Sequence, residues 1–182
     1  MAILKKGLVQ IYTGDGKGKT TAALGLAWRM LGAGGRVYIC QFLKPADLET
    51  GEAALARHLA GNLTFERLDE KWDMNTFLSD ADQVCTMRQA IARKLSQIQS
   101  LVREGRYDLV ILDELIFCLK TNLAGWPEVR SLIQSRAASV ELVLTGSGAD
   151  ENLIQLADLV TEMKEIKHPF RQGQSARAGI EY

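Results

Sequence analysis

The stretch Thr13-Gly14-Asp15-Gly16-Lys17-Gly18-Lys19-Thr20-Thr21 decides how the rest of the chain is read. Before it runs Leu8-Val9-Gln10-Ile11-Tyr12, an apolar run suited to a buried strand; after it, Ala22 to Leu31 reads as a helix. Glycines let a backbone curl until several N–H groups point into one hollow. A helix starting there aims its unpaired N–H groups and the positive end of its dipole at the same point. Strand, glycine loop and helix together make a phosphate-binding P-loop. The general pattern G-x-x-x-x-G-K-[ST] puts its first glycine at position 13, where Thr13 stands with Gly14 beside it. The loop is therefore a variant. On this reading Thr13, Gly14, Asp15, Gly16, Lys17, Gly18, Lys19, Thr20 and Thr21 border a nucleotide. Lys19 reaches its β- and γ-phosphates, and the Thr20 hydroxyl is a magnesium ligand.

A second constellation is Leu109-Val110-Ile111-Leu112-Asp113-Glu114. A strand with no polar alternation is covered on both faces, as in the middle of a parallel sheet. Its carboxyl end brings Asp113 and Glu114 to the rim where open α/β sheets bind ligands. One carboxylate would hold the metal directly or through water; the other would orient nucleotide or substrate. Thr145-Gly146-Ser147-Gly148 follows another expected strand and either borders the nucleotide or is a plain turn. Trp72, between Lys71 and Asp73 in a polar loop, either walls a flat apolar ligand or packs on the domain.

Outward from these points the chain alternates strand and helix. Strands are expected at Arg36–Leu43, Asn62–Leu68, Tyr107–Glu114, Val140–Thr145 and Leu159–Ile166. Helices are expected over Thr50–Ala60, over 76–104, from Trp126 with Pro127 in its first turn, and around Glu151–Ala157. On the long helix Val84, Met87, Ile91, Leu95, Ile98 and Val102 share a face, which leaves Arg88, Arg93, Lys94 and Arg103 to solvent. Residues 1–6 read as a loose arm and 167–182 as an extended tail. The fold class that follows is α/β: a single P-loop NTPase-like domain spanning 1–182, with a mostly parallel central sheet and helices on both faces.

Lys plus Arg and Asp plus Glu number 22 each, and this balance argues against a general binder of nucleic acid or membrane surfaces. Cys40, Cys85 and Cys118 form no C-x-x-C pair and read as buried reduced thiols. His58 and His168 are isolated, so no zinc site is expected. No signal peptide or membrane span is evident, and a cytoplasmic protein is expected. No covalent nucleophile stands out, so any catalysis must come from positioning and electrostatics around phosphate.

Several pieces together resemble the P-loop type of ATP:corrinoid adenosyltransferase, also called cob(I)alamin adenosyltransferase. They are Tyr12 to Ala23, Gln41-Phe42-Leu43-Lys44, Gly51-Glu52, Trp72, Val110 to Leu115, Leu144-Thr145-Gly146, Ala157 to Met163, Lys167-His168-Pro169-Phe170 and Gly179-Ile180-Glu181-Tyr182. Thr at the first glycine position is that family's own variant. The resemblance implies that Co(I) of a corrinoid attacks the 5′-carbon of ATP and that triphosphate leaves as one unit. Lys19, Trp72 and Glu114 would then carry the catalysis, and Thr20, Asp113 and Glu114 would hold Mg2+. It also implies that Trp72 displaces the lower cobalt ligand, that a donor such as a reduced flavoprotein supplies the electron, and that the protein is a homodimer. Members commonly show Gly-Phe-Thr-Trp where this chain has Asp69-Glu70-Lys71-Trp72, and Arg where Ser147 stands.

Two other readings remain open. A P-loop ATPase or nucleotide-dependent regulator would use Glu114 to activate water. A small-molecule or nucleotide kinase would need an arginine-rich lid, for which the tail offers Arg171 and Arg177.

Overall fold

The computed structural model describes residues 3–45, 47–59, 61–68 and 77–181. In chain order the elements are β1 (Val9–Thr13), α1 (Lys19–Gly32), β2 (Val37–Gln41), α2 (Gly51–His58), β3 (Leu63–Arg67), α3 (Ala81–Glu104), β4 (Leu109–Asp113), α4 (Leu115–Lys120), α5 (Trp126–Ser135), β5 (Glu141–Thr145), α6 (Glu151–Leu156) and β6 (Leu159–Glu162). Single 3-10 turns lie at Phe77–Ser79 and Pro169–Gln172. The six strands form one sheet in the order β3-β2-β4-β5-β1-β6, and every pairing is parallel. This is the α/β architecture expected from the alternation of elements.

The pattern of burial explains why the central strands lack polar alternation. Every residue of β2, β4 and β5 is buried. Alternate side chains feed two cores. Ile11, Tyr38, Cys40, Val110, Leu112, Leu142 and Leu144 meet α3, α4 and α5 on one face. Tyr12, Val37, Ile39, Leu109, Ile111 and Val143 meet Ala23 and Ala27 of α1 on the other. The edge strands contrast with these: β3 is half-buried throughout and β6 is exposed. Burial raises the Cys40 thiol to about 12, which keeps it protonated.

Several boundaries and burials differ from expectation. The long helix starts at Ala81, because Asp80 caps it by accepting from the N–H groups of Asp82 and Gln83. A short helix, α4, follows β4 directly where none was expected. Thr50 is the N-cap of α2 and lies outside the helix. The last strand stops at Glu162, where β1, its only neighbour among the described residues, has also ended. Lys94 is not left to solvent: its ammonium lies 3.0 Å from Glu66, which also accepts from the Tyr38 hydroxyl at 2.7 Å. Arg88 donates to the Asn122 carbonyl. Cys40 and Cys118 are buried free thiols, whereas Cys85 is exposed. At the start of the chain, the Ile3 N–H donates to Asp108.

The parallel register has one consequence for function. All six strands end on a polar residue: Thr13, Gln41, Arg67, Asp113, Thr145 and Glu162. Because every strand runs the same way, these side chains line a single rim.

Candidate active site

The loop after β1 owes its shape to glycine at two left-handed positions, Gly14 (φ +93°) and Gly18 (φ +114°). It also lies hard against the chain beyond β6. The Gly16 N–H donates to the Met163 carbonyl at 2.6 Å, and a Cβ on Gly14 or Gly16 would come within 2.5 or 2.6 Å of that same oxygen. Thr13 does not occupy the left-handed region. Its hydroxyl accepts from the Ala149 N–H at 3.2 Å, tying the loop's start to the segment after β5. That contact gives a physical use for threonine where the general pattern has glycine.

The first N–H groups of an α-helix have no partner within the helix, and no side chain caps α1 or places an acid in its first turn. Its amino end therefore presents N–H groups and a positive dipole that suit an anion. The Lys19 ammonium lies inside the curl, donating to the carbonyls of Gly14 and Gly16, each at 2.8 Å. Lys17 instead bonds the Glu181 carboxylate of the C-terminal segment at 2.7 Å. Asp15 and Thr21 are exposed. A cavity of about 520 Å³ opens over this end of the sheet, bordered by Lys19, Thr20, Lys44, Glu52, Glu114 and, from the tail, Ile180.

Behind Thr20 stands a buried hydrogen-bond network. Asp113 Oδ1 accepts from the hydroxyls of Thr20 (2.8 Å) and Thr145 (2.6 Å). Its Oδ2 accepts from the Gln41 amide at 3.1 Å. That amide also donates to Glu52, which pairs with Lys44 at 2.8 Å. Burial raises the Glu52 carboxyl, but its bonds to Lys44, its own N–H and Gln41 outweigh that effect and hold it at about 2. Glu114 takes a left-handed conformation (φ +64°), uncommon for a residue with a side chain. Its N–H donates to the Thr145 hydroxyl. Burial and then the Asp113 charge raise its carboxyl above the usual range, while Lys19 and Lys44 pull it down.

The donors here are hydroxyl and carboxylate oxygens, which suit a hard divalent cation. Thr20 donates its proton to Asp113 and so keeps its lone pairs for such a cation. Asp113 already accepts three hydrogen bonds, so it acts best through Thr20 or water; of Glu52 and Glu114, which both border the cavity, Glu52 is engaged by Lys44 and Gln41. Among the described residues no three His, Cys, Asp or Glu side chains form a metal cage. Phosphate oxygens and water would have to complete the shell.

Of the residues singled out in the sequence, the fold gathers Thr13, Lys19, Thr20, Asp113, Glu114 and Thr145 at one rim. Trp72 and its neighbours 69–76 lie outside the described residues. Arg171 pairs with Glu165 and Arg177 with Glu181, so neither is a free cation for a kinase lid. Sequence reasoning gave no role to Gln41, Lys44, Glu52 or Arg67. The available signal was the polar residue closing each apolar strand, as Gln41 and Arg67 do.

The model of the ATP:corrinoid adenosyltransferase BtuR/CobO/CobP family matches residues 5–182. The chain belongs to this adenosyltransferase family. It is 37% identical over 180 residues to a corrinoid adenosyltransferase of Sinorhizobium sp, covering 98% of this chain and 81% of that one. It is 34% identical over 178 residues to the corrinoid adenosyltransferase of Pseudomonas aeruginosa (98% and 85% covered). The Escherichia coli K12 corrinoid adenosyltransferase is 31% identical over 179 residues (98% and 87%). Among solved structures, the flagellar accessory protein FlaH from Methanocaldococcus jannaschii superposes with a TM-score of 0.57 at 13% identity, covering 87% of this chain and 72% of that one. This last likeness speaks for the fold alone.

Proposed function

We propose that this adenosyltransferase-family chain moves the 5′-deoxyadenosyl group of ATP onto the Co(I) centre of a corrinoid. The electron pair on cobalt forms the bond to the 5′-carbon, the bond from that carbon to oxygen breaks, and triphosphate departs with its electrons. The observation that carries this reading is the convergence of Lys19, the uncapped end of α1 and Thr20 on one cavity. These groups meet the departing polyphosphate with positive charge where negative charge develops. The nucleophile belongs to the substrate, so the protein's part is to bind, orient and neutralise.

In this reading Mg2+ is held at Thr20 with Asp113 and Glu114, and when bound it neutralises charge on the phosphate oxygens. Lys19 leaves the carbonyls of Gly14 and Gly16 for the polyphosphate, which exchanges neutral acceptors for charged ones. Trp72 is assigned to the corrinoid's lower face. A reduced flavoprotein as electron donor, a homodimer and a cytoplasmic location complete the proposal.

Product analysis tests it. Anaerobic incubation with ATP, Mg2+ and a Co(I) corrinoid is expected to yield one triphosphate for each corrinoid whose visible spectrum shows adenosylation. Orthophosphate with unchanged corrinoid would favour the ATPase reading and overturn this one; ADP with a phosphorylated acceptor would favour a kinase.

A further inference from the structure

Arg67 closes the edge strand β3, and it spends its guanidinium entirely within the protein. Its Nε donates to Gln41 Oε1 at 2.9 Å and its Nη2 to the Thr50 hydroxyl at 2.7 Å. Its Nη1 reaches the carbonyls of Pro45 and Leu48. Its Cζ lies over the Phe65 ring, 5.6 Å from the centroid, two residues back on the same side of the strand. A planar group bonded through all three of its nitrogens and resting against a ring has little freedom left.

The register of the sheet turns that rigidity toward Asp113, the carboxylate behind Thr20. Gln41 sits opposite Arg67 on one side and opposite Asp113 on the other. Gln41 is fully buried, so water cannot replace a lost partner. Its amide has two possible orientations. With its carbonyl toward Arg67, its NH2 serves Asp113 and Glu52, as found. Flipped, it would set a carbonyl against two carboxylates and an NH2 against a guanidinium. Both mismatches are buried, and each costs the desolvation of an unpaired group. Arg67 and the two carboxylates favour the same orientation, and Arg67 is the partner that holds the carbonyl end.

We propose that Arg67 is a positioning residue for the metal site: through Gln41 it fixes Asp113, and through Asp113 the hydroxyl of Thr20. The chain of contacts crosses the ends of three adjacent strands. At the same time Arg67 holds Pro45, Leu48 and Thr50, the N-cap of α2, the helix on which Glu52 stands. The inference rests on the ATP and Mg2+ reading of the site but not on the corrinoid half.

The test is calorimetric titration of ATP into wild type, Arg67→Met and Gln41→Leu, each with and without Mg2+, alongside the Mg2+ dependence of turnover. Outer-shell substitutions weaken metal sites by about 10–100-fold. Both variants should therefore raise the Mg2+ concentration for half-maximal ATP binding by about tenfold or more. Affinity for ATP without Mg2+ should stay within about twofold. The double variant should be no worse than Arg67→Met alone, because both changes cut one relay. Equal loss of ATP affinity with and without Mg2+, or an unchanged Mg2+ requirement, would make Arg67 a structural residue only and overturn the proposal. If Arg67→Met does not fold, Gln41→Leu alone decides, since it leaves the contacts of Arg67 with Pro45, Leu48 and Thr50 in place. Should wild type fail to adenosylate a corrinoid, the calorimetry still reads the relay.

Discussion

Lys19→Ala is expected to lower adenosyl transfer by about 10³-fold, at the upper end of what losing one preorganised charge-stabilising donor costs. The ammonium sits inside the curl, 2.8 Å from two loop carbonyls, where the polyphosphate would enter. The departing group is already highly anionic in ATP, and one further negative charge develops on its bridging oxygen as the bond to the 5′-carbon breaks. The loss should therefore show in both KM and kcat. The fold should survive, because two hydrogen bonds at a half-buried rim contribute only about 1–3 kcal/mol together. Initial rates with Co(I) corrinoid, read beside thermal unfolding, check both halves. A variant with full activity would remove the loop from the mechanism.

Asp113→Asn is expected to cost about 10²–10³-fold in turnover, the range for losing an electrostatic group in a buried site. The substitution keeps the shape of the side chain but not its four lone-pair directions. If the new NH2 faces Gln41, it meets the donor that already bonds Asp113 Oδ2. Gln41 cannot flip to accommodate it while Arg67 holds its carbonyl. If the NH2 faces Thr20 and Thr145 instead, it donates to both hydroxyls. Thr20 then spends a lone pair on the amide and loses its preferred geometry toward a cation. Either arrangement damages the metal site. Turnover across a Mg2+ series, with calorimetry of ATP binding, reads the effect. A variant whose rate and Mg2+ dependence both match those of wild type would show that Asp113 does not govern the site.

Much of this was legible in the sequence where local physics acts alone. The P-loop announces itself because glycines, a lysine and a hydroxyl must stand at fixed offsets around a phosphate. Leu109–Asp113 reads as a central strand because both of its faces are buried. The face of α3 that carries Met87, Ile91, Leu95, Ile98 and Val102 reads as helix for the same reason. What was not legible depends on contacts between distant residues. The apolar run Leu115–Lys120 continues β4 without a glycine or proline to mark the break. The break is Glu114 in a left-handed conformation, which no residue preference announces. Lys94 looked like part of a solvated helix face until the fold brought Glu66 beneath it. Arg67 carries no motif, and Gln41 stands in a family-like piece that assigns it no role. Their partnership comes from the order β3-β2-β4, which puts residues 67, 41 and 113 side by side at strand ends.

The order of strands also accounts for where the site lies. β1 and β4 are separated by β5, so Thr145 bridges the loop that follows β1 and the acids that end β4. Its hydroxyl donates to Asp113 and accepts from the Glu114 N–H, which ties both acids to one side chain. This gives the Thr145-Gly146 turn a part in shaping the site. The positive φ of Gly146 and the tight space around it, where a Cβ would lie 2.7 Å from the Phe117 nitrogen, keep α4 close against that turn.

The central claim is that the curl from Thr13 to Thr20 holds the polyphosphate of ATP as a leaving group. A crystal structure of the protein with ATP and Mg2+ measures this directly. The account predicts phosphate oxygens within hydrogen-bond distance of the first-turn N–H groups of α1 and of the Lys19 ammonium, displaced from the carbonyls of Gly14 and Gly16, with the cation beside Thr20. A polyphosphate bound elsewhere on the rim, with Lys19 still on those two carbonyls, would contradict it.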